Sequence, residues 1–148
     1  MSLQQRLSDE LKAAMLAKDA DRLSTLRLLK SAIGYAQIEK KTDSLSDAEV
    51  VAIVQKEVKK RRDAIEQYEK GGRAELAARE KQEIAVLETF LPQPLTPEEL
   101  DQLVRATMRE TGAAGKKDMG VVIKAVHVKA AGRADGKAIS AVVAKLLP

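Results

Sequence analysis

Apolar residues recur every three or four positions along most of the chain, with charged residues between them. The first segment carries this pattern on Leu3, Leu7, Leu11 and Met15. The second carries it on Leu26, Leu29 and Ile33, with Leu28 and Ala32 beside them. Spacing of this kind lines one face of an α-helix. Residues 121–128 are rich in β-branched side chains, yet their apolar positions also fit a helical face. We therefore predict seven helices, over about 3–18, 20–39, 46–70, 73–90, 97–111, 118–129 and 136–147.

Two helix starts are marked by a capping box, in which a Ser or Thr and a Glu three residues later satisfy each other's free amides. The first pairs Ser46 with Glu49, and the second pairs Thr96 with Glu99. Pro97 occupies the first helical position of the second helix, where proline is favoured. Glycine ends both helices, at Gly71-Gly72 and at Gly112.

A proline-rich segment divides the chain. Pro92 and Pro94 cannot continue a helix, and each biases the residue before it towards extended backbone. The sequence therefore predicts an all-α protein with two parts. We expect an N-terminal four-helix subdomain over residues 1–93 and a small three-helix subdomain over residues 94–148.

Composition restricts the possible cellular settings. Hydrophobic residues make up 45% of the chain but aromatic residues only 2%, so the core must be aliphatic. The chain contains no cysteine, which excludes disulfides, thiolate metal sites and cysteine nucleophiles. No apolar run approaches the ~20 residues that span a bilayer, and residues 1–12 lack the apolar centre of a signal peptide. These features predict a soluble cytoplasmic protein without membrane contact.

The sequence contains no recognisable catalytic constellation. His127 is the only histidine, and we expect it on a helix surface. The segment from Gly132 to Lys137 resembles a phosphate-binding loop, but a P-loop has four residues between its glycines and a Ser or Thr after its lysine. Here there are three, and Ala138 follows the lysine. We therefore predict no catalytic residues, no metal and no cofactor.

Positive charge collects at the C-terminal end. Residues 112–148 contain seven Lys and Arg against two Asp and Glu, an excess of five, within a chain whose net charge is +4. Such a surface attracts polyanions, although an ordinary helical connection with solvated lysines explains the same pattern. The candidate nucleic-acid-binding residues are Lys116, Lys117, Lys124, Lys129, Gly132, Arg133, Gly136 and Lys137. A second basic run, over residues 59–62, has acidic neighbours within one turn, so we expect ion pairing within its helix, with direct phosphate binding as the alternative.

Five segments spread along the chain form a set, namely Ser24-Thr-Leu-Arg-Leu-Leu-Lys30, Gly72-Arg73, Phe90-Leu-Pro-Gln-Pro-Leu95, Lys117-Asp-Met-Gly120 and Gly132-Arg-Ala-Asp-Gly136-Lys137. In this order and spacing they resemble the YqeY-type proteins. These are small bacterial relatives of the tail region of GatB, the tRNA-binding subunit of the glutamyl/aspartyl-tRNA amidotransferase. At three positions the chain departs from residues common in that family, with Val121 in place of Lys, Ile123 in place of Met and Val128 in place of Pro.

The resemblance implies an all-α protein whose C-terminal part holds tRNA, without the catalytic cradle or ATP site of the amidotransferase. A label such as carbon–nitrogen ligase with glutamine as amido-N-donor would then be inherited by similarity. We expect a non-catalytic tRNA-binding module. The alternative is a protein-interaction adaptor that docks on an aminoacyl-tRNA synthetase or on an amidotransferase, and a true amidotransferase component is a third possibility.

Overall fold

The computed structural model describes residues 1–148 and contains seven α-helices and no β-strand. The all-helical prediction is confirmed, and each predicted helix is present with ends shifted by at most two residues. A short 3₁₀ turn, Lys116–Asp118, precedes the sixth helix. The helices are α1 Leu3–Leu16, α2 Ala20–Lys40, α3 Asp47–Lys70, α4 Ala74–Glu88, α5 Pro97–Thr111, α6 Met119–Ala130 and α7 Gly136–Leu146.

Both predicted capping boxes form. At the start of α3, the Glu49 amide donates to Ser46 Oγ at 3.2 Å, and the Ser46 amide donates to the Glu49 carboxylate at 3.0 Å. At the start of α5 the same two bonds join Thr96 and Glu99, at 3.1 and 3.0 Å. Gly112 then ends α5 in the left-handed conformation, at φ 68°, which glycine adopts without strain.

The chain forms two compact units, Met1–Leu91 and Pro92–Pro148. The first unit contains α1 to α4 and the second contains α5 to α7. Each unit has its own cluster of buried apolar side chains, and no residue belongs to both clusters. That the two units are separate domains stays a prediction.

The core of the first unit is built mainly from aliphatic residues, as the composition predicts. Leu26, Val54 and Leu87 come from three different helices and are almost fully buried. Phe90 completes the cluster, and the Arg6 guanidinium lies 4.8 Å from the centre of its ring. This contact combines burial of the ring with a cation–π attraction.

Two residues that the apolar pattern places on or beside the core stripes lie outside the core. Met15 is exposed, and Ala14 takes the buried position at the end of α1. Leu28 is also exposed, because α2 buries only the narrow stripe that contains Leu26 and Leu29. The core position predicted for Met15 was wrong, whereas Leu28 lies beside the stripe as predicted and forms part of an uncovered apolar face of α2.

One residue of the basic run over residues 59–62 is buried between α3 and α4. The Arg61 guanidinium lies 3.0 Å from the Glu57 carboxylate and 2.9 Å from the Glu83 carboxylate, with Glu80 at 4.0 Å. The predicted pairing within the helix is confirmed for Glu57. The contacts to α4 were not predicted, since they join residues 19 and 22 positions apart.

The second unit is a three-helix assembly around a valine-rich cluster. Its fully buried side chains include Val104 from α5, Val122 and Val126 from α6, and Val143 from α7. Thr107 is also fully buried, and its hydroxyl donates to the Leu103 carbonyl at 2.7 Å. No helix in either unit is long and apolar enough to cross a membrane.

Candidate nucleic-acid interface

The candidate residues lie along α6, its flanking turns and the first turn of α7. The Lys116 ammonium donates to the carbonyl oxygen of Ala144, near the end of α7. This contact brings the start of α6 next to the end of α7, so the two helices run antiparallel. A cation at a helix C-terminus is stabilised by the helix dipole. Lys116 therefore has a role within the fold.

Lys129 and Arg133 share one groove of the second unit. The groove has a volume of about 370 Å³ and is lined on the other side by residues of α5. Lys129 forms an ion pair with Glu110, and the Arg133 guanidinium lies 3.9 Å from the Glu99 carboxylate. Carboxylates of α5 therefore neutralise part of the charge of both cations.

Arg133 also holds the segment before α5. Its guanidinium donates to the Gln93 carbonyl at 2.9 Å, and its own carbonyl accepts from the Leu95 amide at 2.8 Å. The hydrogen bonds to Thr96, with the Arg133 charge beside them, lower the pKa of the Glu99 carboxyl. The capping box and the Arg133 charge therefore both favour the ionised form of Glu99.

The turn between α6 and α7 depends on left-handed backbone. Ala131 has φ 48° and Gly132 has φ 87°, so the glycine at 132 meets a conformational need. Asp135 then caps α7, with its carboxylate accepting from the Ala138 amide at 2.7 Å. A carboxylate thus occupies the place at this helix start where a phosphate would bind, and a phosphate-binding loop is not formed.

Three of the candidate lysines are exposed and form no ion pair within the chain, namely Lys117, Lys124 and Lys137. The two acidic residues nearby, Asp118 and Asp135, accept hydrogen bonds from backbone amides. Asp118 accepts from the amides of Ala114 and Gly115, which lowers the pKa of its carboxyl, and Asp135 caps α7. The positive charge of these lysines is therefore presented to solvent.

Lys145 belongs with these residues, although sequence reasoning did not select it. It is exposed near the end of α7 and forms no ion pair. Lys145 lies outside the glycine-containing segment from Gly132 to Lys137, and its helix was predicted from apolar positions alone. The signal available was its place within the same basic stretch, residues 112–148.

Gly120 and Gly136 are not required by the fold. Each lies in the first turn of a helix without positive φ, and a Cβ added at either position would meet no atom within 4 Å. The open space leaves backbone accessible beside Lys117 and Lys137. Glycine at such positions permits close approach by another molecule.

The outward face of α6 is not purely basic. Val121 and Val128 are exposed and lie one turn before and one turn after Lys124. His127 is also exposed on this helix, as predicted. No group of three or more His, Cys, Asp and Glu side chains is arranged to hold a metal ion.

Comparison with protein families gives a match over residues 4–147 to the family described as Yqey-like protein. A Vanderwaltozyma polyspora protein named "Altered inheritance of mitochondria protein 41, mitochondrial" is 33% identical over 106 residues, which is 70% of this chain and 57% of that protein. The Lachancea thermotolerans protein of the same name is 34% identical, with the same coverage. A Schizosaccharomyces pombe protein described as uncharacterized is 36% identical over 62% of this chain and 74% of its own length.

The match thus spans little more than half of the mitochondrial relatives' length. These relatives are fungal proteins, whereas the sequence resemblance was to bacterial ones.

Proposed function

This chain belongs to the YqeY-like family, and we propose that it is a non-catalytic RNA-binding module whose ligand is tRNA. The observation that carries the proposal is the set of exposed lysines, Lys117, Lys124 and Lys137, without ion-pair partners in the second unit. Phosphate contacts from lysine supply most of the sequence-independent affinity for nucleic acid. The resemblance to the GatB tail supports tRNA as the class of RNA.

The second unit offers charge but no platform for bases. All three aromatic residues, Tyr35, Tyr68 and Phe90, precede residue 92. Stacking on aromatic side chains is the usual way in which proteins hold single-stranded bases. Recognition by this unit would therefore depend on the phosphate backbone and on the shape of a folded RNA.

The spacing of the lysines suits a backbone contact. Lys117, in the 3₁₀ turn, and Lys124, in α6, are seven residues apart in the sequence. Gly120 lies between them with open space above it. A phosphate chain that followed this line would meet two ammonium groups and exposed backbone, with Asp118 as the one carboxylate between them, held by the amides of Ala114 and Gly115.

The test is a filter-binding titration of the full chain with total tRNA over a range of salt concentrations. We expect binding that weakens steeply as salt rises. The triple variant Lys117→Ala/Lys124→Ala/Lys137→Ala should bind at least tenfold more weakly and show a shallower salt slope. The matched control removes three exposed lysines of the first unit, Lys12→Ala/Lys56→Ala/Lys59→Ala, and should bind as the parent does.

Arg133 is left unchanged in this design because its guanidinium holds the Gln93 carbonyl. Its loss would disturb the fold and the charge together. Absence of binding at low salt would refute the proposal. Equal loss in both triple variants would mean that only net charge matters, and it would refute the assignment of the site.

A second candidate function is a protein-interaction adaptor that docks on an aminoacyl-tRNA synthetase or an amidotransferase. The exposed pair Val121 and Val128 favours it, because apolar side chains add nothing to phosphate binding. Pull-down with and without nuclease separates the two functions. Partners retained after nuclease treatment, and lost in Val121→Asn/Val128→Asn, would support the adaptor.

We propose the cytoplasm as the place of this function, as the composition predicts. The mitochondrial names belong to the fungal relatives, and they make the location worth measuring. Fractionation of the source cells with an antibody to the chain decides between a cytoplasmic and an organellar protein.

A further inference from the structure

Helix α2 exposes a large apolar face within the first unit. Leu28, Tyr35 and Ile38 have 51%, 75% and 76% of their surface exposed. Their spacing of seven and three residues places them along one stripe of the helix. Exposed apolar patches of this kind on an ordered helix mark interaction surfaces.

Small residues separate the large ones on this stripe. Ser31 is exposed between Leu28 and Tyr35, and Gly34 lies in the interior of the helix with no atom within 4 Å of an added Cβ. Gly34 does not have positive φ, so the backbone does not require glycine there. A glycine inside a helix costs about 1 kcal/mol relative to alanine. Its effect at this place is to let a second helix approach closely.

Two charged residues bound the stripe. Arg27 lies at one end and Glu39 at the other, and both are exposed. Neither forms a salt bridge or side-chain hydrogen bond within the chain, whereas most charged residues of α3 and α4 are paired. Both charges are therefore available to a partner.

The exposed stripe lies on the face of α2 opposite Ile33, which is buried in the core of the first unit. At the level of Ile33 the stripe is complementary to itself. Four pairs of residues lie at equal distances before and after Ile33. They are Arg27 and Glu39 at six residues, Leu28 and Ile38 at five, Ser31 and Tyr35 at two, and Ala32 and Gly34 at one. In an antiparallel pair of identical helices, residues at equal distances from the centre face each other. Arg27 would then face the oppositely charged Glu39, Leu28 would face Ile38, and the large Tyr35 would face the small Ser31.

From this pattern we propose that the chain forms a homodimer in which α2 packs antiparallel against α2 of a second copy. The two-fold axis crosses the exposed face of α2 at the level of Ile33, so every contact occurs twice, as in an isologous interface. The closest approach is at Ser31 and Tyr35, with Tyr35 of each protomer over Ser31 of its partner, while Ala32 and Gly34 lie at the two margins of the interface. Arg27 of each protomer pairs with Glu39 of its partner.

The size of the interface sets the expected strength. Helix α2 has 21 residues and is therefore about 32 Å long. One pair of helices buries less than the ~1,200 Å² of a standard interface, so the dimer should be weak and depend on concentration. We expect a dissociation constant of roughly 1–100 μM, the range of weak complexes.

Charge reversal at the two ends gives a test specific to this geometry. The variants Arg27→Glu and Glu39→Arg each place like charges opposite one another twice, so each should self-associate about tenfold more weakly in sedimentation equilibrium. A mixture of the two restores both opposite-charge pairs, and it should dimerise as the parent does. The double variant Arg27→Glu/Glu39→Arg should also recover.

Cross-linking checks the register, since the chain contains no cysteine. The double variant Ser31→Cys/Tyr35→Cys places each thiol opposite a thiol of the partner and should form a disulfide-linked dimer under mild oxidation. The control Glu75→Cys, exposed at the start of α4, should not. A parent that stays monomeric at several hundred micromolar would overturn the proposal. Equal self-association in the two reversal variants and in their mixture would also overturn the proposal, because the interface would then lie elsewhere.

Discussion

Arg61 is the only charged residue that the fold buries. Replacing it by alanine would leave Glu57 and Glu83 facing each other without their shared cation, next to Glu80. Burial and the nearby Glu83 already raise the pKa of Glu80. Breaking a buried pair by removing one partner typically costs 3–5 kcal/mol. We expect Arg61→Ala to lower the free energy of unfolding by about 3 kcal/mol, measured by urea denaturation.

The neighbouring residue supplies the control for this prediction. Arg62 pairs on the surface with Glu88 at 3.4 Å, where both side chains are about half exposed. Exposed pairs contribute at most about 1 kcal/mol. Arg62→Ala should therefore cost less than a third of Arg61→Ala. Equal losses would show that the Arg61 cluster does not stabilise the first unit beyond a surface pair.

Glu49 gives a prediction about pH. Hydrogen bonds, from Lys40 first and then from Ser46, lower the pKa of its carboxyl from 4.5 to about 2. A lowered pKa means that the folded state holds the proton less well than the unfolded state. This stabilisation is complete above pH 4.5 and is lost as the pH falls towards 2. The melting temperature of Glu49→Gln should fall less than that of the parent over this range. The difference between the two proteins should be larger at low salt than at high salt.

At the residue scale, the sequence shows which residues are charged but does not predict which groups they contact. The basic residues at 116, 129 and 133 were recognised as basic, yet their partners Ala144, Glu110 and Gln93 are 19 to 40 positions away. Nothing in local spacing reports such contacts. Helix ends were different, because capping boxes and terminal glycines act within four residues, and their prediction was confirmed at Ser46 and Thr96.

At the scale of elements, the period of a helix predicts a stripe but not its width. The stripe of α1 predicts a core position at Met15, yet Met15 is exposed, and Leu28, beside the stripe of α2, is exposed as well. Whether a residue beside the stripe is buried depends on how neighbouring helices pack. That information is absent from any single helix, and the uncovered face of α2 became visible only in the assembled unit.

Gly34 connects the stability of α2 with its proposed pairing. Gly34→Ala should raise the free energy of unfolding of the monomer by about 0.5–1 kcal/mol, because alanine favours helix and the Cβ meets no neighbour. The same methyl group would separate the paired helices and weaken self-association. Denaturation at low protein concentration and sedimentation at high concentration measure the two effects. Gly120→Ala in α6 serves as control and should leave self-association unchanged.

At the scale of the whole molecule, charge and aromatic residues are divided between the two units. The second unit has the larger excess of positive charge and no aromatic residue, while the first has mostly paired charges on α3 and α4 and all three aromatic residues. The two proposals accordingly use different surfaces. RNA binding is assigned to α6 and α7, and self-association to α2. A variant that loses one activity should keep the other.

The separate cores give a final prediction about cooperativity. Val54 and Val104 are fully buried, the first in the cluster of α1 to α4 and the second in that of α5 to α7. Truncating either to alanine should cost about 2 kcal/mol within its own cluster. If the units are domains, hydrogen exchange in Val104→Ala should accelerate in α5 to α7 alone, and in Val54→Ala in α1 to α4 alone. Acceleration throughout the chain in both variants would mean that residues 1–148 unfold as one cooperative unit, and the division at Pro92 would then describe packing but not folding.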